Sequence, residues 1–99
     1  MDYEYAKQKF SMAVELLACG QGKLRDRLKQ AAFEVFVLSE SQIPSPLVKT
    51  WENFKVEITN KADADNEGRI SATLRRMRPE KLHKLAYTIL ELQRESLLS

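Results

Sequence analysis

Cysteine, histidine and the two helix breakers are scarce in this 99-residue sequence: one Cys, one His, three Gly and three Pro. A lone cysteine forbids an internal disulfide. Cys19 and His83 together cannot furnish a Cys/His zinc site within one chain, so neither a metal nor a cofactor is expected. Cys19 ends an apolar run, which predicts a buried, inert thiol. A catalytic thiolate needs a base beside it, and only the fold can bring His83 there. Long apolar runs are missing as well. None approaches the roughly 20 residues that span a bilayer, and the opening MDYEYAKQKF lacks the apolar segment of a signal peptide. The expectation is a cytoplasmic protein with no membrane partner. Alternating runs long enough for a strand, internal repeats and low-complexity tracts are absent too, which leaves helix as the regular structure to look for.

What is present suits a small folded unit. Hydrophobic residues make up 43% and charged residues 30%, an ordinary globular balance. The length predicts a single domain over residues 1–99 with a thin core, since small domains bury a lower fraction of their surface. The net charge of +2 is unevenly spread. Residues 23–29 carry +3 and residues 69–84 carry +5, while the intervening 30–68 carry −4. Two basic blocks in acidic surroundings say more about partners than the total does.

Hydrophobic spacing predicts an all-α bundle of four to five helices. The first runs from about Tyr3 to Ala18, with Ala6, Phe10, Ala13, Val14 and Leu17 on one face. Asp2 serves as its N-cap, and Gly20 and Gly22 end it through the left-handed conformation. The second runs from about Lys23 to Leu38 on Leu24, Leu28, Ala31, Val35 and Leu38, with Phe33 and Phe36 widening the stripe or facing outward. Ser45 and Pro46, as cap and first helical residue, open a third. Its stripe is Leu47, Trp51, Phe54 and Ile58, with Trp51 a core anchor. A fourth, from about Glu67 to Met77, carries Ile70, Leu74 and Met77. Pro79 opens the fifth and pushes Arg78 toward an extended backbone. Leu82, Leu85, Ala86, Ile89 and Leu92 face the core there, with Leu90 and Leu97 beside them.

These elements carry residues that fit four chemistries to different degrees. Asp63, Asp65, Glu67, Gly68 and Ile70 match positions 1, 3, 5, 6 and 8 of a calcium loop, but position 12 is Leu74 where a bidentate carboxylate is required. A solvated turn capped by Asp65 or Asn66 is the better reading. The basic residues Arg69, Arg75, Arg76, Arg78, Lys81 and Lys84 can neutralise phosphates, and Arg25 and Arg27, with Lys23 and Lys29, extend the patch if the helices lie side by side. The helix pair meeting at Met77 to Pro79 suggests a helix-turn-helix, yet proline sits in the turn and Glu80 would open the recognition helix against phosphate. Arg78 and His83, separated by four residues, resemble the paired arginine and histidine of HEPN ribonucleases. That resemblance implies a proton-transferring histidine and a charge-stabilising arginine, although the proline after Arg78 departs from the family pattern. Finally, Tyr3, Tyr5, Phe33, Phe36 and Tyr87 fall off the ideal stripes, and tyrosine with arginine commonly anchors protein interfaces.

Two stretches, Gly20-Gln-Gly22 with Leu24-Arg25-Asp26-Arg27-Leu28, and Glu67-Gly68-Arg69-Ile70-Ser71-Ala72-Thr73-Leu74 with Met77, resemble segments of short all-helical bacterial proteins. The resemblance covers about a third of the chain. It implies a helical fold and a bacterial or phage origin, and carries over no functional residue. With no catalytic constellation in the sequence, the leading expectation is a binding protein that takes a protein partner or self-associates. Nucleic-acid binding through residues 69–84 comes second, and a ribonuclease through Arg78 and His83 third.

Overall fold

The computed structural model describes residues 3–61 and 68–98. Its regular structure is entirely helical: α1 (Glu4–Cys19), α2 (Leu24–Phe36), α3 (Val48–Ile58), α4 (Arg69–Arg75) and α5 (Pro79–Leu97), with 3-10 turns at Glu40–Gln42 and Ser45–Leu47. This is the expected all-α bundle. No helix among the described residues is long and apolar enough to cross a membrane.

The predicted stripes become the core. Phe10 and Ala13 of α1, Leu28 and Val35 of α2, Phe54 and Ile58 of α3, Leu74 of α4 and Ile89 and Leu92 of α5 join one buried cluster. Fully burying a Phe, Leu, Ile or Val side chain stabilises by about 1.5–3 kcal/mol. α1 lies along α2 and α5, α2 meets α4, and α3 packs on α4 and α5. Lys9 reaches Glu34 while Arg27 reaches the Leu17 carbonyl, so α1 and α2 run antiparallel. Trp51 is buried, as expected of a core anchor. Its Nε1 donates to the Val35 carbonyl (3.3 Å), and the Lys55 ammonium lies 3.6 Å from the ring centroid. The Cα radius of gyration, 13.0 Å, is that of a compact chain of this length.

Several local expectations are corrected. Cys19 is exposed rather than buried. It follows Leu17, the last buried residue of α1, by two positions, and that rotates it about 200° off the buried face. Leu90 and Leu97 are also exposed, at 39% and 56%. Gly20 caps α1 in an extended conformation (φ −68°), not a left-handed one. Glycine is needed there because a Cβ would collide with the Leu16 carbonyl. Gly22 does take positive φ, at +90°. Ser45 makes no side-chain cap; it begins a 3-10 turn that follows Pro44 and hands over to α3 at Val48. α4 is shorter than predicted, beginning after Gly68 and ending before Met77. The Asp2 cap and the proposed calcium-loop acids Asp63, Asp65 and Glu67 lie outside the described residues.

Candidate functional site

The two basic blocks have different fates. In α2, Arg25 turns inward over the end of α4. Its Nε donates to the Leu74 carbonyl and a terminal nitrogen to the Met77 carbonyl, both at 2.7 Å. Leu74 is in the last turn of α4, where its carbonyl also accepts the Met77 backbone N–H (3.1 Å), so Arg25 reinforces the end of α4 and the turn after it from a neighbouring helix. Arg27 does the same for α1 through the Leu17 carbonyl, with its buried Nε left without a protein partner. Lys23 contributes its backbone N–H to the Asp26 carboxylate (3.2 Å), which fixes the start of α2.

The second block is displayed. α4 ends at Arg75, Pro79 opens α5 at the position where its missing N–H costs nothing, and the three residues between them turn the chain sharply. That turn, the segment that follows α3 and the first turns of α5 enclose a groove of about 380 Å³ lined by Lys61, Arg76, Met77, Arg78, Lys81 and Lys84. Glu80 is the carboxylate on its rim. Lys81 is paired with Glu57 (2.7 Å), leaving Lys61, Arg76, Arg78 and Lys84 as the cations around it. Buried Thr73 forms part of the wall, and its hydroxyl accepts the Lys61 backbone N–H (3.0 Å), which tethers that lysine's backbone to α4. Arg75 points to a different recess, shared with Arg25 and Lys29 between α2 and α4. Arg69, at the start of α4, is exposed and lines neither. Arg76, Arg78, Lys81 and Lys84 therefore line one cleft and Arg25, Lys29 and Arg75 another.

His83 is exposed and lies outside the groove that Arg78 lines. It belongs instead to a stripe on the outer face of α5: His83, Tyr87, Leu90, Arg94 and Leu97, spaced four, three, four, three. Tyr87 is 53% exposed. Arg94 donates to the Tyr87 hydroxyl (3.4 Å) and stands 5.9 Å from its ring centroid. That hydrogen bond raises the Arg94 pKa above its ordinary value, and the nearby Glu91 and Glu95 carboxylates add to the shift. Because Leu82, Leu85, Ile89 and Leu92 fill the opposite face, α5 is apolar on two sides and the bundle covers one. Sequence reading counted Leu90 and Leu97 with the core and so missed this surface. The signal was available in the second stripe, offset by about 140° from the first.

Of the aromatics expected at an interface, Tyr5, Phe33 and Tyr87 are exposed, whereas Phe36 packs against the core and Tyr3 is half-buried. The chain matches no protein-family model, and comparison with curated proteins and with solved structures gives no match.

Proposed function

We propose that the protein is a small cytoplasmic interaction domain, of bacterial or phage origin, that works by contacting another protein through the outer face of α5. The observation that carries this reading is the exposed stripe of Tyr87, Leu90, Arg94 and Leu97. Contiguous exposed apolar surface with tyrosine and arginine at its centre is the composition of a protein interface. A comparative capture tests it: the purified protein and its Leu90→Glu variant serve as parallel baits. The partner set is expected to be lost with the variant while its helical spectrum and melting temperature stay unchanged. An identical set on both baits would sink the reading.

A second reading, nucleic-acid binding, is supported by the gathering of Lys61, Arg76, Arg78 and Lys84 around one groove. Phosphate neutralisation by several cations gives affinity that falls steeply with salt. Fluorescence anisotropy with labelled single- and double-stranded RNA and DNA, at low and at physiological salt, tests it. The expected result is micromolar or tighter binding that weakens with salt and is lost in an Arg76→Ala/Arg78→Ala variant. A flat titration for all four probes would remove this reading.

A further inference from the structure

We propose that the partner of the α5 stripe is a second copy of the chain, and that the two α5 helices pair antiparallel in one register. This rests on the interaction reading above and gives it an occupant.

The stripe has the spacing of a coiled-coil seam, in which apolar residues recur at alternating intervals of four and three. The charges beside the seam choose the occupant. Lys84 and Glu91 lie one heptad apart on the same flank of the stripe. Both are exposed; among the described residues neither makes an ion-pair contact, and Glu91 acts only through space on Arg94 three residues along the same helix. Laid antiparallel about a point between Thr88 and Ile89, Lys84 lies within about 3 Å along the axis of the partner's Glu91, its nearest charged neighbour on that flank, and Glu91 lies likewise beside the partner's Lys84. The two-fold axis makes each contact twice. The same register sets Tyr87 against the partner's Leu90 and Leu90 against the partner's Tyr87, at the centre of the pair.

The alternatives are worse. A slip of one heptad one way sets Glu91 against the partner's Glu91; a slip the other way sets Lys84 against the partner's Lys84. Parallel pairing places these two charges beside the partner's Pro79 and the partner's Ala86, with no opposite charge gained. The outer layers of the favoured register are polar, with His83 opposite the partner's Arg94. The whole contact is one pair of helices of 19 residues, about 28 Å long. Such an interface belongs to the small class that supports weak association, so a reversible dimer in the micromolar range is expected.

Sedimentation equilibrium over a concentration series tests this. The proteins are the chain with Cys19→Ser, which removes disulfide-linked dimers through the exposed thiol, and the same background with Lys84→Glu, Glu91→Lys, or both. Melting temperatures confirm that these surface changes leave the fold intact. Each single swap is expected to weaken the dimer at least about tenfold, because it creates two like-charge contacts. The double swap restores both pairs reversed and is expected to return to within about threefold of the parent. A parent that stays monomeric to about 1 mM overturns self-pairing. So does a dimer that ignores the swaps, or one that the double swap fails to rescue. If self-pairing fails while Leu90→Glu still strips proteins from the bait, the interaction reading survives with another partner. If the bait is also indifferent, both fall.

Discussion

The basic residues of α2 and those at the α4–α5 turn are alike in composition and opposite in use. Arg25 and Arg27 face inward and terminate neighbouring helices. Arg76 and Arg78 face outward and line an open groove. The difference is one of geometry. α2 is held against α1 on one side and α4 on the other, so long side chains on its flanks fall within reach of the last carbonyls of both. At the α4–α5 turn Arg76 and Arg78 are exposed on the lining of a groove, and no helix carbonyl among the described residues receives a hydrogen bond from their side chains. A count of positive charge is blind to this. A guanidinium that caps a helix is part of the fold, and one on a rim is available to a ligand.

The sharpest test of the contrast is Arg25→Met. It keeps much of the aliphatic stem and removes two charge-assisted bonds, one to the Met77 carbonyl and one to the Leu74 carbonyl, which also accepts the Met77 backbone N–H. A loss of about 2 kcal/mol is expected, which for a chain of this size lowers the melting temperature by about 8–16 °C. Arg27→Met is expected to cost less, about 1 kcal/mol, because only one bond is lost and the unpartnered buried Nε goes with it. Chemical denaturation of both variants checks the order. The Arg76→Ala/Arg78→Ala variant is expected to stay within about 0.5 kcal/mol of the parent, as surface changes usually do. A loss as large as that of Arg25→Met would erase the distinction between the two blocks.

Lys9 offers the smallest effect and a different handle. It is held by the Glu34 carboxylate (2.9 Å), which raises its pKa above the ordinary lysine value. Folding therefore favours its protonated form. The stabilisation is complete below the ordinary lysine pKa and fades as pH rises through the raised one. A melt series into alkaline pH is thus expected to show a small Lys9-dependent decline, absent in Lys9→Met.

Much of the fold was legible because it rests on periodicity. The stripes through Phe10, Leu28, Phe54 and Ile89 place four helices, and Pro79 marks the start of α5 to the residue. The errors came where tertiary position decides. Cys19 continues an apolar run in sequence but lies beyond the last core contact of α1. Leu90 and Leu97 are apolar and near the stripe, yet 3.6-residue geometry carries them onto the outer face. The candidate groove was half legible: the basic block named Arg76, Arg78, Lys81 and Lys84, while Lys61 comes from the far side of a connection and no local pattern announces it. The separation of His83 from the groove was equally hidden, since five positions along the chain say little when a turn and a proline intervene.

The Arg25 clamp also bears on the order of assembly. Its bonds span 49 and 52 residues, whereas α1 and α2 meet across a short connection and form a local hairpin of helices. Loop closure over the longer distance costs more chain entropy, so these bonds are expected to form after the α1–α2 hairpin. Contacts made after the rate-limiting step act on the way out of the native state rather than on the way in. In stopped-flow chevrons, Arg25→Met is therefore expected to speed unfolding roughly in proportion to its full destabilisation and to leave the refolding limb almost unmoved, making this one side chain a latch on the lifetime of the folded bundle.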